Sequence, residues 1–209
     1  MFTKTYPSLI SGRYFSTIWC SLDPKVFPVI HKYLEPIQKY CNWLCTFGDG
    51  QVDSKFIPHI SLRYLGFTDE LDKKQIFDEK VKFEEAVSNA IKKVGSNEIV
   101  LNGVATWERK VNEKVVDARL SWKIEEKTIL VQIHRELLRI PNYQLIENLE
   151  SNNYNPHISL GQIKLVDDNY EKVLKHIDTP MNKISVKLSD YAINYATPEQ
   201  REEVRLDIK

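Results

Sequence analysis

Two pairs of side chains suited to proton transfer and phosphate binding stand in identical surroundings. His59 and Ser61 lie within residues 58–62, His157 and Ser159 within residues 156–160, and both segments read Pro-His-Ile-Ser-Leu. The chain has only five histidines in 209 residues, and these two share a pentapeptide 98 positions apart (157 − 59). Such a repeat points to internal duplication. Imidazole takes and gives a proton near neutrality. Two imidazoles facing one substrate can divide the work, one as general base and one as general acid. A hydroxyl beside each can donate to a phosphate oxygen. Donors aimed at developing charge suit in-line displacement at a phosphodiester. In RNA the internal nucleophile is the ribose 2′-hydroxyl. Its attack on the adjacent phosphorus expels the 5′-oxygen and leaves a 2′,3′-cyclic phosphate, and the same two groups with exchanged roles can add water to that ester.

The pentapeptide is apolar and β-branched enough to be a strand, where side chains at i and i+2 share a face. His59 with Ser61, and His157 with Ser159, then face one way, while Ile60, Leu62, Ile158 and Leu160 face the core. By the same alternation Arg63 joins the His59 face, where it can pair with phosphate, and Tyr64 joins Leu62. Tyr154, three residues before His157 in an Asn-rich loop, is placed to stack on a terminal base. Trp19 and Trp122 lie on strands flanking the motifs and are expected in the core. His31 and His134 fall in helices and His176 at a helix end, where a cation favours the dipole. None of the three is expected to act in catalysis.

The elements that must position the motifs come in a repeated order. Residues 14–22 are aromatic and β-branched and read as a strand. Residues 24–44 show helical spacing broken by Pro28 and Pro36. A loop over 47–53 leads to the first motif strand. Residues 71–94 read as one amphipathic helix ended by Gly95. Strands over 98–107 and 115–124 follow, joined across 108–114. A helix over 126–139 stops at Pro141, and a polar loop over 147–155 leads to the second motif. A helix over 167–177 and strands over 183–195 and 204–208 close the chain. Strand, helix, His-strand, helix, strand thus appears twice, in halves of roughly 12–110 and 111–209. The expected fold class is α+β: two pseudo-symmetric lobes, each a small antiparallel sheet with helices on its outer face, with the His-x-Ser strands facing a central cleft.

Hydrophobic residues make up 42% and charged residues 28%, ordinary for a globular domain. No apolar run approaches the length needed to span a bilayer, and residues 1–11 lack a signal-peptide layout. Lys plus Arg balance Asp plus Glu at 29 each, which argues against an electrostatic grip on a long duplex but allows a few local contacts to one end of a strand. Cys20, Cys41 and Cys45 show no disulfide framework. Cys41 and Cys45 fall at i and i+4 of the expected helix with His31 upstream, but no second pair completes a metal site. No glycine pattern supports a dinucleotide or P-loop reading.

Paired His-x-Ser-hydrophobic motifs in two halves resemble the signature of the two-histidine (2H) phosphoesterases, and the resemblance runs from Tyr14 to Ile208. Within that superfamily the chain is most similar to the branch that processes the 3′ end of U6 snRNA, in its fungal form. Three features carry the closer likeness: the Gly12-Arg13-Tyr14 lead, His-x-Ser-Leu in both motifs, and a β-rich tail over 184–208. Arg63-Tyr64-Leu65-Gly66 also resembles the bacterial 2′-5′ RNA ligase-like branch. The resemblance implies that His59 and His157 are catalytic and that Ser61 and Ser159 bind phosphate. It implies a nuclear, monomeric 3′-5′ exonuclease without cofactor or metal that trims uridines from an RNA 3′ end. Two competing readings are a 2′,3′-cyclic phosphodiesterase or 2′-5′ linkage enzyme, and an RNA-binding module without catalysis.

Overall fold

The computed structural model of the chain describes residues 14–44, 58–68, 70–140, 154–179, 181–196 and 201–209. Strand β1 (Tyr14–Leu22) opens the described chain. Asp23 then caps a 3-10 turn at Pro24–Val26 by accepting from the Lys25 N–H at 3.0 Å. Helix α1 (Phe27–Leu34) buries Phe27, Ile30 and Leu34. Pro36 has no N–H to continue that helix, and the chain tightens into a 3-10 segment, Glu35–Tyr40, before strand β2 (Cys41–Leu44). The helix expected over 24–44 is therefore broken and ends in a strand. Cys41 is in β2 rather than on a helix, and Cys45 lies outside the described residues. So do the loop residues 47–53 and most of 147–155.

Strand β3 (His59–Thr68) carries the first motif. The single helix expected next is two, α2 (Glu70–Asp78) and α3 (Lys80–Val94), divided at Glu79. Helix α3 buries Phe83, Val87 and Ala90 at i, i+4 and i+7, and Gly95 ends it with φ 75° and an N–H bonded to the Ile91 carbonyl at 2.8 Å. Strands β4 (Glu98–Val111) and β5 (Lys114–Glu126) form a hairpin longer than expected, closed by Asn112 and Glu113 at φ 49° and 63°. Helix α4 (Thr128–Leu138), strand β6 (Ile158–Ile163), helix α5 (Asn169–Ile177) and strands β7 (Ile184–Ala196) and β8 (Arg201–Arg205) follow among the described residues.

Among the described residues all strand pairs are antiparallel, in the order β2-β6-β5-β4-β7-β1-β3 with β8 added to β7. The α+β class is as expected, but the strands do not sort by chain half. In the first half β1 pairs with motif strand β3 and, on its other side, with β7 from the second half. In the second half β5 pairs with motif strand β6 and with β4 from the first. The exchanged strands meet at the centre, Glu98 opposite Lys187 through Leu101 opposite Ile184. Helices cross over too. Helix α4 packs on β3, and α5 packs on β6, β4 and the Glu35–Tyr40 segment. One eight-stranded sheet with two interlocked ends replaces two self-contained lobes. It curls until β3 and β6, far apart in strand order, come within 8 Å between Cα atoms.

Candidate active site

Both motifs sit on a β-bulge at the same residue. Trp19 is opposite Ser61 while the next residue back, Ile18, is opposite Arg63, so Leu62 is the extra residue. Ser121 is opposite Ser159 while Leu120 is opposite Gly161, so Leu160 is the extra residue. Up to each bulge the alternation holds. His59 and Ser61 are half-buried and share a face, as do His157 and Ser159, while Ile60, Leu62, Ile158 and Leu160 are fully buried in the core. After each bulge the alternation inverts. Equivalent cross-strand rows, Ala192-Trp19-Ser61 and Ala105-Ser121-Ser159, flank the two sites.

The inversion decides Arg63. It lies opposite Ile18 on the core face, 1% exposed, and its guanidinium donates to the Leu137 carbonyl and, at 3.2 Å, to the Ile140 carbonyl, capping the end of α4. It is a structural cap and not the phosphate contact expected from simple alternation. Tyr64, opposite Thr17, changes places with it and joins the His59 face. Gly161 occupies the position equivalent to Arg63 in the second motif.

Tyr154 is also committed elsewhere. Its hydroxyl donates to the Ser61 carbonyl at 2.9 Å, and its ring stacks on His134 with centroids 4.0 Å apart and planes 9° from parallel. Burial pushes its phenol well above the ordinary range, with Cys20 and Tyr64 adding to the shift. His134, 8% exposed, donates from Nδ1 to the Leu62 carbonyl at 2.7 Å. Two aromatic rings from the second half thus hold successive carbonyls of the first motif at its bulge. The base-stacking role expected of Tyr154 gives way to a tether between the motifs. Nothing in the spacing of His134 signalled its part in it.

Each motif imidazole rests on an indole. The Trp19 ring meets His59 edge-on at 5.0 Å and 73°, and the Trp107 ring meets His157 at 4.8 Å and 36°. Trp19 is buried, as expected, but on the site face. Trp122 lies opposite Ile158 in the core. Trp107, 46% exposed, went unrecognised in the sequence because its strand was expected to end there. The Nδ1 of His157 is 3.2 Å from the Asn155 carbonyl. A carbonyl only accepts, so Nδ1 carries a proton, and the neutral ring offers Nε2 as its lone pair. Of the other histidines, His176 donates from Nε2 to the Tyr33 carbonyl at 2.7 Å, joining α5 to α1. Among the described residues no group of three His, Cys, Asp or Glu side chains is disposed to hold a metal ion. No helix among them is long and apolar enough to cross a membrane.

The sequence pattern of the 2′-5′ RNA ligase superfamily matches residues 28–192, a range that contains both motifs. The chain belongs to this superfamily, the 2H phosphoesterases. Apo LigT from E. coli has the same fold, at 12% identity over 94% of this chain and 96% of that one, with a TM-score of 0.50. The protein TT0787 of Thermus thermophilus follows at 13% identity over 93% and 95%, TM-score 0.48. Usb1 of Kluyveromyces marxianus is similar at 12% identity over 93% and 98%, TM-score 0.41. A sequence search among curated proteins finds no match. As a 2H phosphoesterase, the chain displays its two His-x-Ser motifs on equivalent bulged strands, β3 and β6.

Proposed function

We propose that this 2H phosphoesterase is an RNA phosphodiesterase that shortens an RNA 3′ end by 2′-hydroxyl attack, acting on the oligouridine end of U6 snRNA in the nucleus. The observation that carries the reading is the duplicated motif strand, in which alternation up to an equivalent bulge sets one imidazole and one hydroxyl per motif on the same side of strands that approach each other. His157 is the base toward the 2′-hydroxyl, because its Nδ1–H is held by the Asn155 carbonyl and leaves Nε2 to accept. His59 is the acid for the departing 5′-oxygen. Ser61 and Ser159 donate to the non-bridging oxygens. The products are a released nucleoside with a 5′-hydroxyl and a shortened RNA ending in a 2′,3′-cyclic phosphate on the attacking ribose. The U6 assignment rests on the Gly12-Arg13-Tyr14 lead, the paired His-x-Ser-Leu motifs and the β-rich tail.

A 5′-labelled RNA ending in several uridines, incubated with the protein in excess EDTA, tests the proposal. The expected result is a ladder of shortened products. It is lost in His59→Ala and His157→Ala, each worth about 10²–10⁴ in rate, and blocked by a 2′-deoxy sugar at the penultimate nucleotide. Intact RNA in every lane overturns the reading. A 5′-thiolate leaving group needs no acid, so it restores His59→Ala and not His157→Ala if the roles are as assigned. The Arg63-Tyr64-Leu65-Gly66 segment favours a second reading, a cyclic phosphodiesterase or 2′-5′ linkage enzyme. Parallel assays on 2′,3′-cyclic, 2′-5′ and 3′-5′ linked oligonucleotides separate the two.

A further inference from the structure

The β4–β5 hairpin outruns its sheet. Strand β7 pairs with β4 only from Glu98 to Leu101, and β6 reaches β5 only as far as Arg119. Beyond those points the two strands pair with each other alone out to the Asn112–Glu113 turn. Their two faces differ. On one, Glu108 accepts from the Tyr170 hydroxyl of α5 and pairs with Lys110 at 3.1 Å. On the other, the register sets Trp107 beside Arg119, Arg109 beside Asp117 and Val111 beside Lys114. That second face is continuous with the Ala105-Ser121-Ser159 row, and so with His157. The row consists of small side chains, and across it the Trp107 indole reaches the His157 ring at 4.8 Å.

This face is bare and basic. Trp107, Arg109, Val111, Lys114 and Arg119 are all exposed. Three cations stand against one carboxylate, Asp117, which Arg119 pairs at 3.1 Å and Gln162 contacts at 2.8 Å. In a chain whose charges balance overall, that is a local strip and not a global field. An exposed indole with flanking guanidinium groups matches the alternating bases and phosphates of a single strand, since stacking on an aromatic is tolerant of sequence and arginine suits phosphate.

We infer that this face of the hairpin is the track on which single-stranded RNA enters the site. A nucleobase next to the scissile phosphate stacks on Trp107, and the phosphates beyond it follow Arg109, Arg119 and Lys114 toward the turn. The inference rests on the phosphodiesterase reading for what happens at His157, but the binding it describes does not require cleavage.

The test is a fluorescence-anisotropy titration of a labelled single-stranded RNA of about ten nucleotides, 2′-deoxy at its last positions so that 2′-hydroxyl attack is blocked, at several salt concentrations. Trp107→Ala weakens binding about tenfold, within the range for one lost base stack. Arg109→Gln and Arg119→Gln each weaken it several-fold and each flatten the salt slope by about 0.7, one phosphate contact on a single strand. Lys110→Gln, on the packed face, stays within twofold of the wild type. The inference is overturned if the wild type does not bind at low salt, if the three hairpin variants bind like the wild type, or if Lys110→Gln weakens binding as much as Arg109→Gln. The all-ribose form of the same RNA separates the two readings: if the deoxy probe binds in this pattern but the all-ribose RNA is never shortened, the phosphodiesterase reading falls and the track stands. All-ribose RNA that is shortened while the hairpin variants bind the deoxy probe normally does the reverse.

Discussion

Replacing Tyr154 with Phe removes one oxygen and separates two roles that the residue could have. In the structure that oxygen donates to the Ser61 carbonyl at 2.9 Å, while the ring stacks on His134. Phe keeps the ring and its stacking, so the change isolates the tether. A lost intramolecular hydrogen bond costs about 0.5–1.5 kcal/mol, and more where the carbonyl is left dry. A loss of about 1–2 kcal/mol lowers the Tm of a domain this size by about 2–8 °C. The carbonyl released belongs to the first motif, and the tyrosine stands three residues before His157. The expected effect therefore falls on the geometry between the two imidazoles. A misplacement of about 1 Å costs about 10²-fold in rate, and a partial relaxation with the stack intact is worth about three- to thirtyfold in kcat. KM should stay within twofold, because no substrate contact is removed. Calorimetry with steady-state cleavage of a short uridine-ended RNA measures all three quantities. If Tyr154→Phe leaves kcat and Tm unchanged while Tyr154→Ala raises only KM, the residue is a base platform and the tether argument is refuted.

Buried Arg63, Cys20 and Cys41, and the exposed helix end at Gly95, give the further outcomes. Arg63→Ala leaves the carbonyls of Leu137 and Ile140 uncapped and opens a void beneath α4. Urea titration should show a loss of about 2–4 kcal/mol, and Arg63→Lys should recover only part of it, lacking the planar fork. Burial pushes the Cys41 thiol up from its ordinary 9.0 to about 11, against a smaller lowering by Lys164, and holds Cys20 higher still. Both should resist alkylation in the folded protein at about pH 8, where thiolate is the reactive form. Because the folded value of Cys41 is raised, its share of stability is present below about pH 9 and is lost as the pH rises toward 11. The stability of the wild type relative to Cys41→Ala should fall between pH 8 and 10.5 in paired urea titrations, and a constant difference would count against it. Gly95→Ala must adopt φ 75° with no atom within 4 Å of the new Cβ, so only backbone strain opposes it. Thermal unfolding should show a cost of about 1–2 kcal/mol, and Gly95→Asn a smaller one.

The two histidines and two serines were legible because residue identity and alternation suffice to place them up to the bulge. What followed the bulge was not. Leu62-Arg63-Tyr64 reads as continuing strand, and a one-residue insertion in the ladder has no side-chain signature of its own, so Arg63 and Tyr64 exchanged faces. The one available signal was Gly161, since glycine inside a strand pattern often marks such an irregularity. The hairpin was underestimated for a related reason. Residues 108–114 lie beyond the core, so no apolar alternation reports that they are strand. The helical spacing over 24–44 likewise predicted Cys41 in a helix, where backbone chemistry at Pro36 ended it. The exchange of β4 and β7 between halves is a matter of long-range pairing, which periodicity within either half does not encode.

That exchange has the geometry of a swapped dimer of half-length chains, joined at the two-residue turn between β4 and β5. In a symmetric pair of identical chains, any substitution beside one histidine appears beside the other. A single chain carries no such constraint, and the surroundings of its two motifs differ. Trp19 stands opposite Ser61 where Ser121 stands opposite Ser159. Arg63 fills the place that Gly161 leaves empty. A reaction that asks one imidazole to accept a proton and the other to give one gains from such inequality, and a single chain is what permits it.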